Sequence, residues 1–336
     1  MSSGEERSSK IPVILIVDVE PDPFLVRPDA PDPWLGYETL HPYLAKLRDR
    51  FQDATGSPVH YTWAFRMDPQ IVKVYGSPTW GAERYAKLVA ESLDRGDELA
   101  NHVHGYRWIE AKDAWLEDLA NQDWMDGCLE LALDAHRAAF GQPCATIRFG
   151  NFWLSTASVK LAEKLGVRYE LTVEPGRPPF KWEAKGDSTG DPPEVYRVPR
   201  TPYEPAFDDF RKPGAAGSRS IRIVPLTAGW LKLGLHVGAR LRRLLRNGAG
   251  YRRQDTPLSM WRDWPAPNSF DQMLDRALAA QTRPYLAFAI RSSTGVDGSF
   301  DRVDRCLQAL LEHPQRERFV FTTPGEGLKL LEEPGS

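Results

Sequence analysis

The chain has 336 residues, with 43 lysines and arginines against 46 aspartates and glutamates, 28 prolines and 26 glycines. This composition excludes a collagen-like repeat and a coiled coil, and it is typical of a globular protein. A net charge of −3 supplies no basic field for a polyanion, so we expect no nucleic-acid partner. A chain of this length folds without a structural metal, and any bound metal would therefore serve chemistry.

The first ten residues, 1–10, are polar and charged and predict a disordered tail. They contain no apolar core of a signal peptide, and no later stretch is apolar over the length of a membrane span. The cysteines Cys128, Cys144 and Cys306 are odd in number and widely spaced, which predicts buried free thiols in a reducing compartment. Together these features predict a cytoplasmic protein.

Short apolar runs alternate with amphipathic segments along almost the whole chain. Strands are predicted at 12–19, 59–65, 98–103, 145–149, 169–173, 221–226, 285–290 and 319–322. Helices are predicted at 36–51, 81–95, 115–140, 155–165, 269–280 and 300–313. Gly96, Gly141 and Gly166 directly follow helical runs, where a left-handed residue ends a helix.

Repeated βα units of this kind form a parallel sheet covered by helices. We predict an α/β fold, a distorted TIM-type (β/α) barrel with seven or eight parallel strands, in preference to an open doubly wound sheet. The residues after Asp18 read Val-Glu-Pro-Asp-Pro-Phe, where a dinucleotide fold requires a Gly-rich phosphate loop. One domain is expected over 11–332, with an irregular excursion at 175–266 that carries a hairpin near 195–199.

Ionisable pairs close two of the predicted strands. The first strand ends in Asp18 and Glu20, and the third ends in His102 and His104. In a parallel barrel these ends converge on one mouth, and alternation along a strand points both members of a pair to the same side. Two carboxylates and two imidazoles can bind a zinc-like ion and leave one carboxylate free as a base. The alternative is that backbone partners satisfy both histidines at an ordinary strand end.

Arginines close two further strands. Arg148 precedes Gly150, and a cation there would hold a catalytic carboxylate ionised and oriented. Arg291 follows the apolar run 286–290 and is interpreted in the same way. The alternative for Arg148 is a surface arginine paired with a nearby glutamate.

Aromatic residues lie at or just after several strand ends, namely Trp63, Tyr106, Trp108, Phe152 and Trp153. Their rings could stack on a sugar, although ordinary packing near a barrel mouth explains them as well. Residues 231–253 form a basic, amphipathic stretch without an acidic residue. Such a helix could contact an anionic membrane surface or the phosphate of a linked sugar, and a solvated helix face is the simpler interpretation.

The sequence resembles the polysaccharide deacetylases, carbohydrate esterases that share the chitooligosaccharide deacetylase homology domain. The resemblance rests on Asp18 with Glu20, on the run Gly-Asp-Glu-Leu-Ala-Asn-His over 96–102, and on Arg-Phe-Gly-Asn-Phe-Trp over 148–153. It spans residues 12–331 and is strongest over 18–174. It implies a divalent ion such as zinc and a carbohydrate substrate that carries an N- or O-acyl group, in surface-glycan synthesis.

The resemblance also implies roles for the strand-end residues. Asp18 would be the general base and Arg148 would tune it, while Glu20, His102 and His104 would bind the ion.

Two positions depart from the family pattern. The family's second histidine falls on Tyr106, so the second ligand is either His104 or missing, and the family's late-strand histidine acid is replaced by Arg291. An arginine cannot donate a proton at neutral pH, although it can stabilise an oxyanion. Asp22 is a rival ligand, but Pro21 and Pro23 on either side indicate that it has left the strand.

Two other functions stay open. The chain could be a binding or regulatory module that kept the fold and lost catalysis, which the altered positions Tyr106 and Arg291 favour. It could also be a barrel glycosidase that pairs Asp18 or Glu20 with a second carboxylate such as Glu174.

Overall fold

The fold is taken from a computed structural model, which describes residues 10–177, 187–230, 255–257, 260 and 269–332. Most of the predicted tail and the whole basic stretch 231–253 lie outside these residues. The strands are, in chain order, β1 (Ile11–Val19), β2 (Thr62–Arg66), β3 (Glu98–Val103), β4 (Tyr106–Ile109), β5 (Ala114–Asp118), β6 (Thr146–Phe149), β7 (Tyr169–Glu170), β8 (Asp187–Thr189), β9 (Arg222–Ile223), β10 (Ala228–Trp230), β11 (Asp255–Pro257), β12 (Leu286–Arg291) and β13 (Phe319–Phe321). The helices are α1 (Leu35–Thr55), α2 (Pro69–Tyr75), α3 (Trp80–Arg84), α4 (Ala86–Asp94), α5 (Gln122–Phe140), α6 (Thr156–Lys164), α7 (Ser269–Ala279), α8 (Phe300–Glu312) and α9 (Pro324–Glu332).

Eight parallel strands form the main sheet. Seven of them follow the order β12-β1-β2-β3-β6-β7-β9, and β13 pairs with the first residues of β1. The chain after β9 bends back to the other end of the sheet, where the Thr227 amide donates to the Ala287 carbonyl over 2.8 Å. The Ala287 amide in turn donates to Thr227 Oγ1 over 2.7 Å. The sheet is therefore a distorted (β/α) barrel, as the sequence predicts.

The two faces of β1 have different neighbours. Val13, Leu15 and Val17 pack outward against the helices, whereas Ile14 and Ile16 point into the barrel. The barrel interior is filled by small and aliphatic side chains from several strands, namely Ile14, Ile16, Ala64, Ala100, Leu171, Val224, Leu226, Ala287 and Ala289. Leu328 of α9 packs against this layer and closes the bottom of the barrel. The mouth, at the carboxyl ends of the strands, is left for polar side chains.

Local capping explains several helix boundaries. Asn121 Oδ1 accepts the Trp124 amide at the start of α5, and Gly141 with φ of 72° ends that helix. Gly96 and Gly166 also adopt positive φ directly after helical segments, which confirms their predicted role. The cysteines Cys128, Cys144 and Cys306 are buried and free, also as predicted.

Three sequence predictions are wrong in detail. The predicted helix 115–140 begins only at Gln122, because 114–118 forms strand β5, antiparallel to β4. The predicted helix 81–95 is divided at Tyr85 into α3 and α4. The predicted hairpin near 195–199 is a turn without a strand ladder, since Val198 bonds back only to Val195. Among the described helices, none is both long enough and apolar enough to cross a membrane.

Candidate functional site

Strand register brings the predicted polar residues into one layer at the mouth of the barrel. Asp18 on β1 pairs with Arg291 on β12, and His102 on β3 lies between Arg66 on β2 and Arg148 on β6. In a parallel sheet such register partners stand side by side on the same face. The two pairs therefore meet, as the sequence analysis requires.

Three side-chain atoms in this layer face one another. Nε2 of His102 and Nε2 of His104 are 2.9 Å apart, and Oε2 of Glu20 lies 3.8 Å and 3.6 Å from them. All three residues are buried. These separations place one point about 2.0 Å from all three atoms, which is the length of a zinc–nitrogen or zinc–oxygen bond. The donor set and its spacing fit a divalent ion.

The hydrogen bond of His102 determines which of its ring nitrogens carries the proton and which one can bind a metal ion. Its Nδ1 lies 3.1 Å from the carbonyl oxygen of Arg148. A carbonyl only accepts, so Nδ1 carries the proton and Nε2 presents its lone pair to the site. His102 is thus oriented as a metal-ligating histidine usually is.

The ring of His104 sits in a fitted slot. A Cβ atom at Gly150 would overlap this ring, so the glycine of the Arg148 motif is required by the histidine. Tyr106 stacks on the opposite side at 5.2 Å, and Phe24 contacts His104 edge-on at 6.0 Å. Burial, followed by the charge of Arg66, lowers the pKa of His104 to about 3, so its imidazole is neutral.

Two guanidinium groups flank Glu20. Arg291 Nε donates to Oε1 over 2.6 Å, and Arg66 Nη1 lies 3.6 Å from Oε2. Burial opposes ionisation of Glu20, but the charge of Arg291 holds the pKa of this carboxyl group well below its ordinary value. Glu20 is therefore a carboxylate ion when the protein is at neutral pH.

Asp18 is held by Arg148, whose Nε lies 3.2 Å from both oxygens of the carboxylate. Arg148 Nε donates to Oδ2 of Asp18 over 3.2 Å, and its Nη1 donates to the Leu171 carbonyl over 2.8 Å. Oδ1 of Asp18 is buried and has no hydrogen-bond partner among the described residues, and it lies 3.6 Å from His102 Nδ1. Burial lowers the pKa of Arg148, but the charges of Asp18 and Glu174 raise it further, so the guanidinium stays charged.

Sequence reasoning missed Arg66 and Asp68. Arg66 binds Asp68 with two parallel hydrogen bonds of 2.8 and 3.1 Å. Asp68 also accepts the backbone amides of His104 and of Gln70, and it caps α2. This pair thus ties the strand of His104 to the end of β2. Its signal was present, since Arg66 directly follows the predicted strand 59–65, as Arg291 follows the predicted strand 285–290.

A second missed group surrounds Tyr106. Asn151 Nδ2 donates to the Tyr106 hydroxyl over 2.8 Å and also to Glu117, the cross-strand partner of Tyr106. Burial raises the pKa of Glu117 to about 7. Asn151 and Phe152 both have positive φ, at 53° and 61°, so this loop is held in a strained conformation beside the site.

The predicted aromatic residues divide between the core and the mouth. Trp63 points outward, packs in the core and donates its Nε1 to Asp97, and Trp153 is buried against Phe149. These two positions leave no ring face for a sugar. Tyr106 lies at the site itself, where it stacks on His104.

The remaining two aromatic residues lie beside partners of their own. Phe152 lies beneath the guanidinium of Arg177, and Trp108 packs against Trp115 on the β4–β5 pair. Substrate stacking at Tyr106, Trp108 and Phe152 stays a prediction.

Two carboxylates named as rivals have other partners. Asp22 lies outside β1 and accepts the amides of Leu35 and Gly36 over 2.8 and 2.9 Å, so it caps α1. Glu174 forms ion pairs with both Arg148 and Arg177.

No protein-family model and no curated protein matches this sequence. Solved structures do match its fold. A Parabacteroides distasonis protein provisionally named as a glycoside hydrolase/deacetylase has a TM-score of 0.57 and 14% identity, over 96% of this chain and 71% of its own. A Pseudomonas aeruginosa protein provisionally named as a polysaccharide deacetylase has a TM-score of 0.50 and 12% identity, over 97% of this chain and 93% of its own.

A third match is a GH57 branching enzyme from Thermococcus kodakaraensis, with a TM-score of 0.50 and 11% identity over 97% of this chain and 72% of its own. At such identities the likeness is one of fold. The barrel thus shares its fold with these three proteins, which confirms the distorted (β/α) barrel that the sequence predicts.

Proposed function

We propose that the protein is a metal-dependent hydrolase that removes an acetyl or similar acyl group from a carbohydrate. The observation that carries this proposal is the arrangement of Glu20 Oε2, His102 Nε2 and His104 Nε2 around one point. Their order along the chain and the barrel fold both support it. We further propose zinc as the ion, a cytoplasmic location, a role in surface-glycan synthesis and a single domain over 11–332.

A divalent ion bound by these three residues supplies Lewis acidity, which polarises an acyl carbonyl and acidifies a water molecule. Asp18 takes the proton from the attacking water at Oδ1, the oxygen without a hydrogen-bond partner in the described part of the chain. Arg148 holds the other oxygen and keeps Asp18 oriented. The water oxygen bonds to the acyl carbon, and the bond from that carbon to the sugar nitrogen or oxygen breaks.

The leaving group needs a proton, and Arg291 cannot provide it because a guanidinium stays protonated at neutral pH. Asp18 therefore returns the proton that it took to the leaving nitrogen or oxygen. The products are the free sugar amine or hydroxyl and acetic acid, which loses its remaining proton to the amine or to solvent and becomes acetate. Arg291 instead orients Glu20 through its 2.6 Å hydrogen bond and stabilises the oxyanion of the intermediate.

Elemental analysis of the full-length protein tests the ligand set. We expect about one equivalent of a divalent ion in the wild type, and its loss in His102→Ala and in Glu20→Ala. His136→Ala is the matched control, because His136 is also buried but is held by the carbonyls of Gln142 and Leu99 outside the site. Thermal unfolding of each variant establishes that it folds.

Acetate release from N-acetylated and O-acetylated sugars tests the reaction. We expect acetate from the metal-loaded wild type and none after chelation. Release of reducing sugar without acetate from a glycan would instead support a glycosidase. Unchanged metal content in both His102→Ala and Glu20→Ala would show that the ligand assignment is wrong.

A specific observation supports a second candidate, a carbohydrate-binding protein without catalysis. Arg291 and Arg66 already flank Glu20, so this carboxylate is neutralised without an ion. In that case the purified protein holds no divalent ion, and added zinc, cobalt or nickel does not raise its melting temperature.

A further inference from the structure

The loop directly after β6, residues 150–152, has an unusual backbone conformation. Asn151 and Phe152 have φ angles of 53° and 61°, in the left-handed region that L-residues rarely adopt. Asparagine tolerates this region better than most residues, but a bulky phenylalanine there is strained. Such strain persists only where the surrounding structure holds it, and it is often stored at functional sites. The contacts of this loop therefore indicate which neighbour requires its conformation.

Two hydrogen bonds fix the residues that flank this loop. The Phe149 amide donates to Oγ1 of Thr172 over 2.7 Å, and Nε1 of Trp153 donates to the Leu119 carbonyl over 3.1 Å. Thr172 lies beyond β7 and Leu119 beyond β5, so the loop is joined to two neighbouring parts of the mouth. These bonds hold the ends of the loop, and its middle needs a contact of its own.

Asn151 provides that contact. Its Nδ2 group has two hydrogens, and it donates to the Tyr106 hydroxyl over 2.8 Å and to Oε1 of Glu117. Tyr106 and Glu117 are cross-strand partners on β4 and β5, so one side-chain amide binds both strands. All three residues are buried, so bulk water does not compete for these hydrogen bonds. The middle of the loop is thereby tied to Tyr106.

Tyr106 and Gly150 are both neighbours of the His104 ring. A Cβ atom at Gly150 would overlap this ring, and the Tyr106 ring lies nearly parallel to it, with centroids 5.2 Å apart and an angle of 14° between the planes. Gly150 belongs to the loop that Asn151 holds, and Tyr106 accepts the hydrogen bond of Asn151. One side chain thus controls two packing contacts of His104.

The two histidines of the site are oriented in different ways. Nδ1 of His102 lies 3.1 Å from the Arg148 carbonyl, and this hydrogen bond sets the rotation of its ring. Nδ1 of His104 is buried and has no hydrogen-bond partner among the described residues. On that side, packing against Tyr106 and Gly150 has to set the rotation of the His104 ring.

We propose that Asn151 is a positioning residue, which acts through Tyr106 to hold the His104 ring with Nε2 turned towards Glu20. This inference rests on the proposed function and assigns a residue that prepares its ion site. Removal of the Asn151 amide should leave the strands and the ends of the loop in place and allow the His104 ring to rotate. The expected consequence is weaker binding of a divalent ion.

Cobalt(II) titration of the full-length protein tests the proposal, because the visible absorption of bound cobalt reports the geometry of its ligands. Asn151→Gly removes the amide and keeps a residue that accepts positive φ. We expect its cobalt affinity to fall about tenfold and its spectrum to change. Tyr106→Phe keeps the ring but removes the acceptor of the Asn151 hydrogen, so a smaller change in the same direction is expected. The double variant should bind cobalt as Asn151→Gly does, because both substitutions break one contact.

Ser155→Ala is the matched control. Ser155 lies just beyond the same loop, where it caps α6 and accepts the Ser158 amide over 3.0 Å. Loss of this cap should lower the melting temperature but leave the cobalt affinity and spectrum unchanged. A merely structural role of Asn151 would make Asn151→Gly behave like this control.

The metal-free protein provides a second measurement. The nearly parallel Tyr106 ring shifts the NMR signals of the His104 ring protons, and Asn151→Gly should reduce that shift. Unchanged cobalt affinity or unchanged His104 signals in Asn151→Gly would overturn the inference, and so would fully additive effects in the double variant. A wild type that binds no cobalt would contradict the proposed function instead, and the His104 signals would then decide the positioning role alone.

Discussion

The mouth and the bottom of the barrel place carboxyl groups in similar confinement and treat them in opposite ways. At the mouth, Glu20 lies beside Arg291, and its pKa is held well below the ordinary value despite burial. At the bottom, Glu98 on β3 has Thr146 as its hydrogen-bond partner, and burial raises its pKa to about 7. Glu20 forms a direct ion pair with Arg291, which Glu98 lacks, and this contact keeps Glu20 ionised.

The two ends of the barrel differ in what their buried residues do: those at the mouth serve the proposed chemistry, and those at the bottom stabilise the fold. The bottom buries aliphatic side chains such as Ile14 and Leu328, and burial of this kind stabilises the fold by about 25 cal/mol per Å². The mouth buries ion pairs whose net contribution to stability is small, because desolvation offsets most of the attraction. Substitutions at the mouth should therefore alter chemistry and, where they leave a buried charge without its partner, stability as well, whereas substitutions at the bottom should alter stability first.

The largest effect is expected at Asp18. Asp18→Asn removes the base but keeps the shape of the side chain, so acetate release should fall about 10²- to 10⁴-fold. Metal content should stay unchanged, because Asp18 is not among the three residues that surround the ion position. Loss of the ion together with the activity would instead make Asp18 a ligand.

Gly150→Ala should give the next largest effect. The new methyl group overlaps the His104 ring, so the ring must move and zinc affinity should fall about 10- to 100-fold. The control is Gly127→Ala in α5, where no atom lies within 4 Å of the added carbon. That change should raise the free energy of unfolding by up to about 1 kcal/mol and leave zinc affinity unchanged. Equal zinc affinity in both variants would contradict the fitted slot.

The alternation of side chains between the two faces of a strand predicts well which residues lie at the mouth, because it depends only on neighbouring positions in the sequence. Asp18 with Glu20, and His102 with His104, are two residues apart, so any parallel barrel with these strands brings the pairs to one face. Arg66 follows the same rule and was missed only because its strand was predicted to end at residue 65. Glu117 could not be found in this way, because the run 114–121 has a composition typical of a helix. Its pairing with Tyr106 depends on antiparallel contact between β4 and β5.

The sequence also does not show which residues must be small to leave space for a neighbouring side chain. Nothing in the run around Gly150 indicates that the His104 ring fills the space of its missing side chain. Trp63 shows the converse limit, since its place at a strand end suggested the mouth although its side chain points to the outer core.

Glu98→Gln tests the bottom of the barrel through the pH dependence of stability. The folded protein retains a proton on Glu98 up to a pKa of about 7, whereas an ordinary glutamate loses it near 4.5. The folded state therefore binds more protons between these values, and its stability should fall as the pH rises from about 4.5 to 7. Glu98→Gln should reduce that fall by about 2 to 3 kcal/mol between pH 5 and pH 8, measured by urea denaturation.

Glu170→Gln should act in the same direction, because burial also raises the pKa of Glu170 to about 7. An identical pH dependence in the wild type and both variants would mean that these carboxyl groups are ionised in the fold. The contrast between the bottom and the mouth would then fail.

The smallest effect is expected at Asp22, and it sharpens the contrast within the mouth itself. Asp22 lies only two residues beyond Glu20, but its carboxylate caps α1. Asp22→Ala should lower the free energy of unfolding by about 1 kcal/mol, and Asp22→Asn should restore most of it, because asparagine also caps helices. Zinc content should be unchanged in both variants. Loss of zinc in Asp22→Ala, with the fold intact, would instead place this carboxylate among the ligands. Unchanged zinc content would show that Glu20, at the end of β1, and Asp22, beyond it, have different roles although only one residue separates them.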